Sequence, residues 1–199
     1  MRAIIICGGF VGEYIKDYIK SGDFIICADS GFDRASEFNI KPDIVIGDMD
    51  SVENSCAVKN KIVYPARKDF TDSELVVQYA LEHGYDELYL FGMIGTRMDH
   101  TLANITLLKQ AKDVKCVIID ANNEIYYTEN EITISGKVGD IVSIIPFEGD
   151  ALGVTTEGLD YPLENGCIKS GTTLGVSNVM TGNSCRVAVK NGKAFIIRC

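Results

Sequence analysis

The chain has no tryptophan, only two histidines and four prolines, and no basic run longer than the Arg67-Lys68 pair. Its 19 Lys+Arg face 28 Asp+Glu for a formal charge of −9, so it lacks the basic stripe that neutralises phosphates along a polynucleotide. The longest apolar runs, such as residues 3–7 and 117–119, fall far short of the roughly 20 residues a membrane-spanning helix needs. The Met1-Arg2 start carries no secretory signal pattern. The seven cysteines are odd in number and show no close pair spaced for zinc or thiol exchange, so they are expected to be reduced. Cys7, Cys27 and Cys116 lie in or beside apolar runs and are expected to act as small hydrophobes. A cytoplasmic protein with no nucleic-acid and no membrane partner is expected.

What is present is the composition of a folded globular chain: 199 residues, 46% hydrophobic and 24% charged, which excludes disorder for most of it. Up to about residue 120, short β-branched runs alternate with segments of helical period, the pattern of strands joined by crossover helices. Strands are expected at residues 3–7, 24–28, 44–46, 62–64, 88–91 and 114–119, in a parallel sheet buried on both faces. Phe10, Tyr14, Tyr18 with Ile15 and Ile19, then Leu75, Val76, Tyr79 and Ala80, then Leu102, Ile105 and Leu108 recur at helical spacing and predict covering helices. Thr71-Asp72-Ser73-Glu74 reads as a capping box, and Gly84 is placed to end that helix.

Beyond Ala121 the pattern turns to short alternating segments with frequent glycine: residues 131–135, 141–146, 152–156, 186–189 and 194–197. A small antiparallel β domain follows, with the junction between Asp120 and Asn123. Asn191-Gly192 predicts a type I′ hairpin, because both central residues of that turn need positive φ.

In an open parallel sheet, ligands bind outside the carboxyl ends of the strands. Each segment there carries an acid: Asp29 after the second strand, Asp48 and Asp50 after the third, Asp69 and Asp72 after the fourth, Asp99 after the fifth. Carboxylates gathered at one rim repel one another unless a cation sits among them. Oxygen donors without a His/Cys cluster favour Mg²⁺, which bridges to substrate phosphates, and Asp48, Asp50 and Asp72 are the candidate ligands. Helix starts after Thr71 and Thr96 offer amides to phosphate, and Arg67, Lys68 and Arg97 offer charge. No P-loop pattern occurs, and Gly8-Gly9-Phe10-Val11-Gly12 is not a dinucleotide fingerprint but reads as a tight strand-to-helix connection. His100 beside Asp99 is a candidate contact, whereas His83 beside Gly84 reads as structural.

Taken in order, residues 28–31 (Ala-Asp-Ser-Gly), 42–51 (Pro-Asp-Ile-Val-Ile-Gly-Asp-Met-Asp-Ser), 68–72 (Lys-Asp-Phe-Thr-Asp), 95–99 (Gly-Thr-Arg-Met-Asp) and 171–178 resemble the motifs of the thiamine pyrophosphokinase family across nearly the whole chain. The resemblance implies an α/β fold, with an N-terminal Rossmann-like, mostly parallel sheet flanked by helices and a C-terminal antiparallel β-sandwich. It implies a catalytic domain for ATP and Mg²⁺ over residues 1–122, a thiamine-binding domain over 123–199, and a homodimer. The implied reaction moves the pyrophosphoryl group of ATP to the hydroxyl of thiamine, giving thiamine diphosphate and AMP.

By that resemblance Asp48, Asp72 and Asp99 are catalytic, and Asp48, Asp50 and Asp72 hold the metal. Asp29, Asp69, Thr71, Arg97 and His100 contact ATP, and Ser177 and Asn178 contact thiamine. One departure stands out: some family members stack a tryptophan of the last strands on thiamine, and this chain has none. Residues 183–186 occupy that region, so another residue supplies the apolar contact or the affinity is lower. A Mg²⁺-dependent phosphohydrolase is the alternative enzyme, since an acid-lined rim also suits water as nucleophile. A nucleotide- or thiamine-binding sensor would not need the acids.

Overall fold

A computed structural model describes residues 1–50 and 60–199; Ser51 and Cys56 lie outside the described residues. The chain forms two compact units, Met1–Ala121 and Asn122–Cys199.

The strands described in the first unit are β1 (Arg2–Ile6), β2 (Phe24–Ala28), β3 (Ile44–Gly47), β4 (Lys61–Val63), β5 (Glu87–Phe91) and β6 (Lys115–Ile119). They lie side by side in the order β4-β3-β2-β1-β5-β6, all parallel. The apolar runs therefore became the parallel strands expected of them, to within a residue or two. Ala3, Ile4, Ile5 and Ile6 of the central strand are 0% exposed, as a sheet covered on both faces requires. Each such isoleucine contributes ~1.5–3 kcal/mol by leaving water. β4 departs from the expected burial, because at the sheet edge it pairs only with β3 and leaves Lys61 and Val63 exposed.

The helices are α1 (Ile15–Tyr18), α2 (Gly31–Glu37), α3 (Asp72–Glu82) and α4 (Met98–Thr106), the last running into a 3-10 turn at Leu107–Lys109. α2 packs against β1 and β2, and α3 against β1, β2 and β3. At α3 the expected start is found: Thr71 Oγ1 accepts from the Glu74 amide at 3.2 Å. The reciprocal half of the box is replaced, since Glu74 Oε1 instead accepts from Gln110 at 2.7 Å and Gln78 at 3.4 Å. Gly84 follows the helix with φ +76°.

Two helical readings need correction. The stripe from Phe10 to Ile19 yields only the single turn α1, and Phe10 is exposed. The amides of Gly9 and Phe10 are drawn instead to the carbonyls of Gly92 and Ile94 at 2.9 and 2.7 Å, which extends the β1–β5 pairing past the strand ends. The helix expected over Leu102, Ile105 and Leu108 forms and Leu108 is buried in its 3-10 end, but within α4 the buried positions are Thr101 and Asn104, while Leu102 is 60% exposed. Here the covered face is polar because it closes on loop backbone rather than on apolar side chains. The short α2 was not foreseen; its buried face is only Gly31 and Ala35, too little to make a periodic signal.

Arg2 closes the opposite end of the sheet. Its guanidinium donates to Asp23 Oδ2 at 2.8 Å and to the Tyr18 carbonyl, and lies 4.7 Å from the Tyr89 ring centroid. Both charged side chains are nearly covered, at 12% and 6% exposure.

In the second unit the strands are β7 (Glu124–Thr128), β8 (Glu131–Ser135), β9 (Ile141–Glu157), β10 (Gly166–Ile168), β11 (Asn178–Val179), β12 (Ser184–Ala188) and β13 (Asn191–Arg198). All their pairings are antiparallel, in the order β7-β13-β9-β12-β8, with β10 and β11 also on β9. The two strands expected at 141–146 and 152–156 are one element, β9, shared between two sheets that enclose Val142, Ile144, Val154, Val187 and Ile196.

The hairpin expected at Asn191-Gly192 is not formed. Gly192 has φ +107°, but Asn191 is not in the left-handed region, and β12 and β13 pair with different halves of β9 rather than with each other. The register shifts there because β9 carries extra residues between Phe147 and Leu152, and a Cβ on Gly192 would lie 2.3 Å from the Asp150 carbonyl, so glycine makes room for the bulge of the facing strand. Among the described residues no helix is long and apolar enough to cross a membrane.

Asp23→Ala leaves the Arg2 guanidinium covered without its anion and should lower the unfolding free energy by about 3 kcal/mol in urea denaturation. Thr71→Ala, which removes one cap bond, should cost about 1 kcal/mol in the same assay.

Candidate active site

Strand order reverses between β1 and β5, since the chain runs outward from β1 to β4 on one side and returns to β5 on the other. Loops leaving the two strands diverge at such a point and open a crevice at their carboxyl ends. A cavity of about 450 Å³ lies there. Cys7, Gly8 and Gly9 after β1 and Gly92 and Met93 after β5 line it, together with Asp29 and Ser30 after β2 and the starts of α3 and α4. Gly92, at φ +65°, is obligatory here: a Cβ would stand 2.1 Å from the Cys7 carbonyl.

α4 fastens the β5 loop to this wall. Asn104 Nδ2 donates to the Met93 carbonyl at 2.8 Å, and Thr101 Oγ1 accepts from the Gly95 amide at 3.2 Å. Neither residue was singled out from the sequence. The signal lay in two polar residues three apart on a helix face that the leucine stripe had seemed to own. Gly8-Gly9, read as a plain connection, likewise turns out to line the cavity. Burial pushes the Cys7 thiol up to about 12, so it stands in the wall as a neutral thiol and offers no nucleophile.

The acids of the β2 and β3 loops meet. One oxygen from each of Asp29, Asp48 and Asp50 lies within 4.8 Å of the others. Both loops hold non-glycine residues in the left-handed region, Asp29 at φ +44° and Met49 at φ +64°; strain of about 1–3 kcal/mol at such positions persists only where the surroundings impose it. The Asp29 amide donates to the Ile46 carbonyl at 2.9 Å, which ties the β2 loop to β3, and the Asp50 amide donates to Asp48 Oδ1 at 3.3 Å.

Lys68 is the positive charge the rim requires. Its ammonium donates to Asp72 Oδ1 at 2.8 Å and to Asp48 Oδ2 at 3.5 Å, with 11% of the side chain exposed. Burial by itself would raise the Asp48 carboxyl, but the hydrogen bonds from Asp50 and the Lys68 charge outweigh it and hold it below the usual carboxylate range. Burial would likewise lower Lys68, and Asp72 together with Asp48 overrides it and raises its pKa. The donor set fits a hard divalent cation: carboxylate oxygens with neither imidazole nor thiolate. The lysine ammonium shows that a cation is accommodated beside them.

Thr71, Asp72 and Ser73 at the start of α3, and Arg97 and His100 at the start of α4, line the cavity. Asp99 is instead exposed and committed to Arg97, accepting at 2.6 and 3.2 Å. Asp69 is exposed in the turn before α3. His83 is the structural residue expected, stacked on Tyr79 with Nδ1 2.8 Å from the Tyr79 carbonyl.

In the second unit, the Ser177 amide donates to Ser143 Oγ at 3.0 Å. Asn178 spends its side-chain amide on the Tyr161 backbone, accepting at 3.0 Å and donating at 2.7 Å.

Residues 15–120 match the family model described as thiamin pyrophosphokinase, catalytic domain, and residues 127–195 the one described as thiamin pyrophosphokinase, vitamin B1 binding domain. The thiamine pyrophosphokinase of Bacillus subtilis (strain 168) is 32% identical, over 100% of this chain and 99% of its own length. The crystal structure of a Bacillus subtilis thiamine pyrophosphokinase superposes with a TM-score of 0.90 at 30% identity, covering 100% of this chain and 98% of that one. One from Geobacillus thermodenitrificans superposes at 0.89 with 28% identity, covering 100% and 97%. On matches that span both units, the chain belongs to the thiamine pyrophosphokinase family.

Proposed function

We propose that this chain transfers the pyrophosphoryl group of ATP to the hydroxyl of thiamine, giving thiamine diphosphate and AMP. The observation that carries the reading is the convergence of acid-bearing loops and two helix starts on one cavity at the switch point, in a member of this family. In this reaction the thiamine oxygen forms a bond to the β-phosphorus while the bond from that phosphorus to the α-bridging oxygen breaks. AMP leaves with the bridging oxygen, and the hydroxyl proton must find an acceptor.

Such transfer depends on positioning and charge neutralisation more than on covalent help. The helix starts of α3 and α4, with Thr71, Arg97 and His100, would hold the polyphosphate, with Asp29 and Asp69 as further ATP contacts. Asp29, Asp48 and Asp50 would hold Mg²⁺, with Asp72 beside them; when bound, the ion supplies charge neutralisation and Lewis-acid polarisation of phosphoryl oxygens. Asp72 is our choice as proton acceptor. It lines the cavity, whereas Asp99, also expected to be catalytic, is exposed outside that lining and bonded to Arg97.

Residues 1–122 then act as the catalytic domain and 123–199 as the thiamine-binding domain, through the segment of Ser177 and Asn178. Asn178 does so as the brace of the Tyr161 loop. We also read the chain as a cytoplasmic homodimer; exposed Met98 and Leu102 on α4, and Leu174 and Val176 in the second unit, are apolar surface of the kind assembly covers. The hydrolase alternative finds no support among the relatives.

Mass spectrometry after incubation with ATP, Mg²⁺ and thiamine should detect thiamine diphosphate and AMP, each absent when thiamine or metal is omitted. Phosphate release independent of thiamine would overturn the reading. Asp72→Asn should lower kcat by about 100-fold or more while thiamine affinity is retained, and Asp99→Asn should cost about tenfold or less. The reverse ranking would move the proton acceptor to Asp99.

A further inference from the structure

We propose that Lys68 is a built-in counter-cation that competes with the divalent metal for the carboxylate rim. Lysine then balances the acids of the metal-free chain, and metal enters as Lys68 gives up Asp48. This rests on the reading of Asp29, Asp48 and Asp50 as a cation site.

The competition is written in the oxygens of Asp48. Its Oδ1 already accepts from the Asp50 amide at 3.3 Å, and Lys68 holds the other, Oδ2, at 3.5 Å. Asp48 therefore belongs to two arrangements at once, the pair with Lys68 and the group with Asp29 and Asp50. A second anchor, Asp72 Oδ1 at 2.8 Å, fixes where the ammonium stands. Asp72 reaches the β3 loop because Gly47 leaves room: a Cβ there would lie 3.0 Å from Asp72 Oδ1 and 2.9 Å from Asp29 Cβ.

Charge decides the direction of the effect. An ordinary surface ion pair is weak because water screens it. This lysine is 11% exposed and its partner Asp48 14%, so screening is reduced and a dication brought to Asp48 meets a nearby like charge. Removing the ammonium leaves the rim one charge more negative, which lifts that repulsion, and it frees Asp48 Oδ2, so metal is favoured. A polyphosphate arriving with the metal offers the displaced ammonium a new anion, which couples metal entry to nucleotide entry.

The test is a Mn²⁺ titration without nucleotide, with free Mn²⁺ read by electron paramagnetic resonance at constant pH. Lys68→Gln should tighten Mn²⁺ binding by roughly tenfold, and Lys68→Arg, which keeps the cation, should bind as the unaltered chain does. A purely structural lysine would not give tighter binding on removal, so unchanged or weaker binding by Lys68→Gln overturns the proposal. In the unaltered chain, acetylation of Lys68 by acetic anhydride, followed by peptide mass spectrometry, should speed up several-fold when Mg²⁺ is added. No increase also overturns it. Asp48→Asn separates the two ideas: if it leaves Mn²⁺ binding intact, the cation site itself is wrong and the competition falls with it.

Discussion

Like charges do not gather at the rim of a sheet without something to oppose their repulsion, and the first unit is organised around that constraint. Asp29, Asp48, Asp50 and Asp72 come from loops after β2 and β3 and from the first turn of α3, elements distant in sequence and brought together by parallel pairing. Lys68 spans Asp48 and Asp72 and so ties the β3 loop to the start of α3. The backbone is left-handed at Asp29 and at Met49, between Asp48 and Asp50, a conformation that persists only where the surroundings impose it. Beneath these loops lie the fully buried isoleucines of β1.

The crevice depends on backbone as much as on charge. At the switch point the β1 and β5 loops approach so closely that only glycine fits at position 92, and the amides of Gly9 and Phe10 bond across to the β5 loop. Thr101 and Asn104 then close the loop from the helix side. This polar inner face has a thermodynamic cause, because loop carbonyls and amides left unpaired would each cost free energy that an apolar side chain cannot return.

The second unit solves a different problem, that of a β domain with little apolar mass per strand. β9 runs through both sheets, so one strand contributes to the core from either half, and a bulge in β9 opposite Gly192 shifts the register while β13 stays paired with it. The chain read this region as short separate strands because glycines interrupt the alternation, and nothing in a local pattern tells an interruption from an ending.

The sequence by itself determined the elements whose cause is local. The β-branched runs of β1, β2, β5 and β6 bury wherever they pair, the Thr71 cap needs only a hydroxyl three residues from an amide, and the order of acids along the chain marks the loops that carry chemistry. Only the tertiary structure decided which acids meet: Asp29 joins Asp48 and Asp50 through the β2–β3 pairing, and Asp99 turns aside to Arg97. It alone decided that Asn191-Gly192 faces a bulge of β9 instead of making a hairpin, and that the buried face of α4 is polar. The physical reason is the same in each case, since distances between loops, and the partners of a strand, are set by long-range pairing that leaves no periodic trace in the residues themselves.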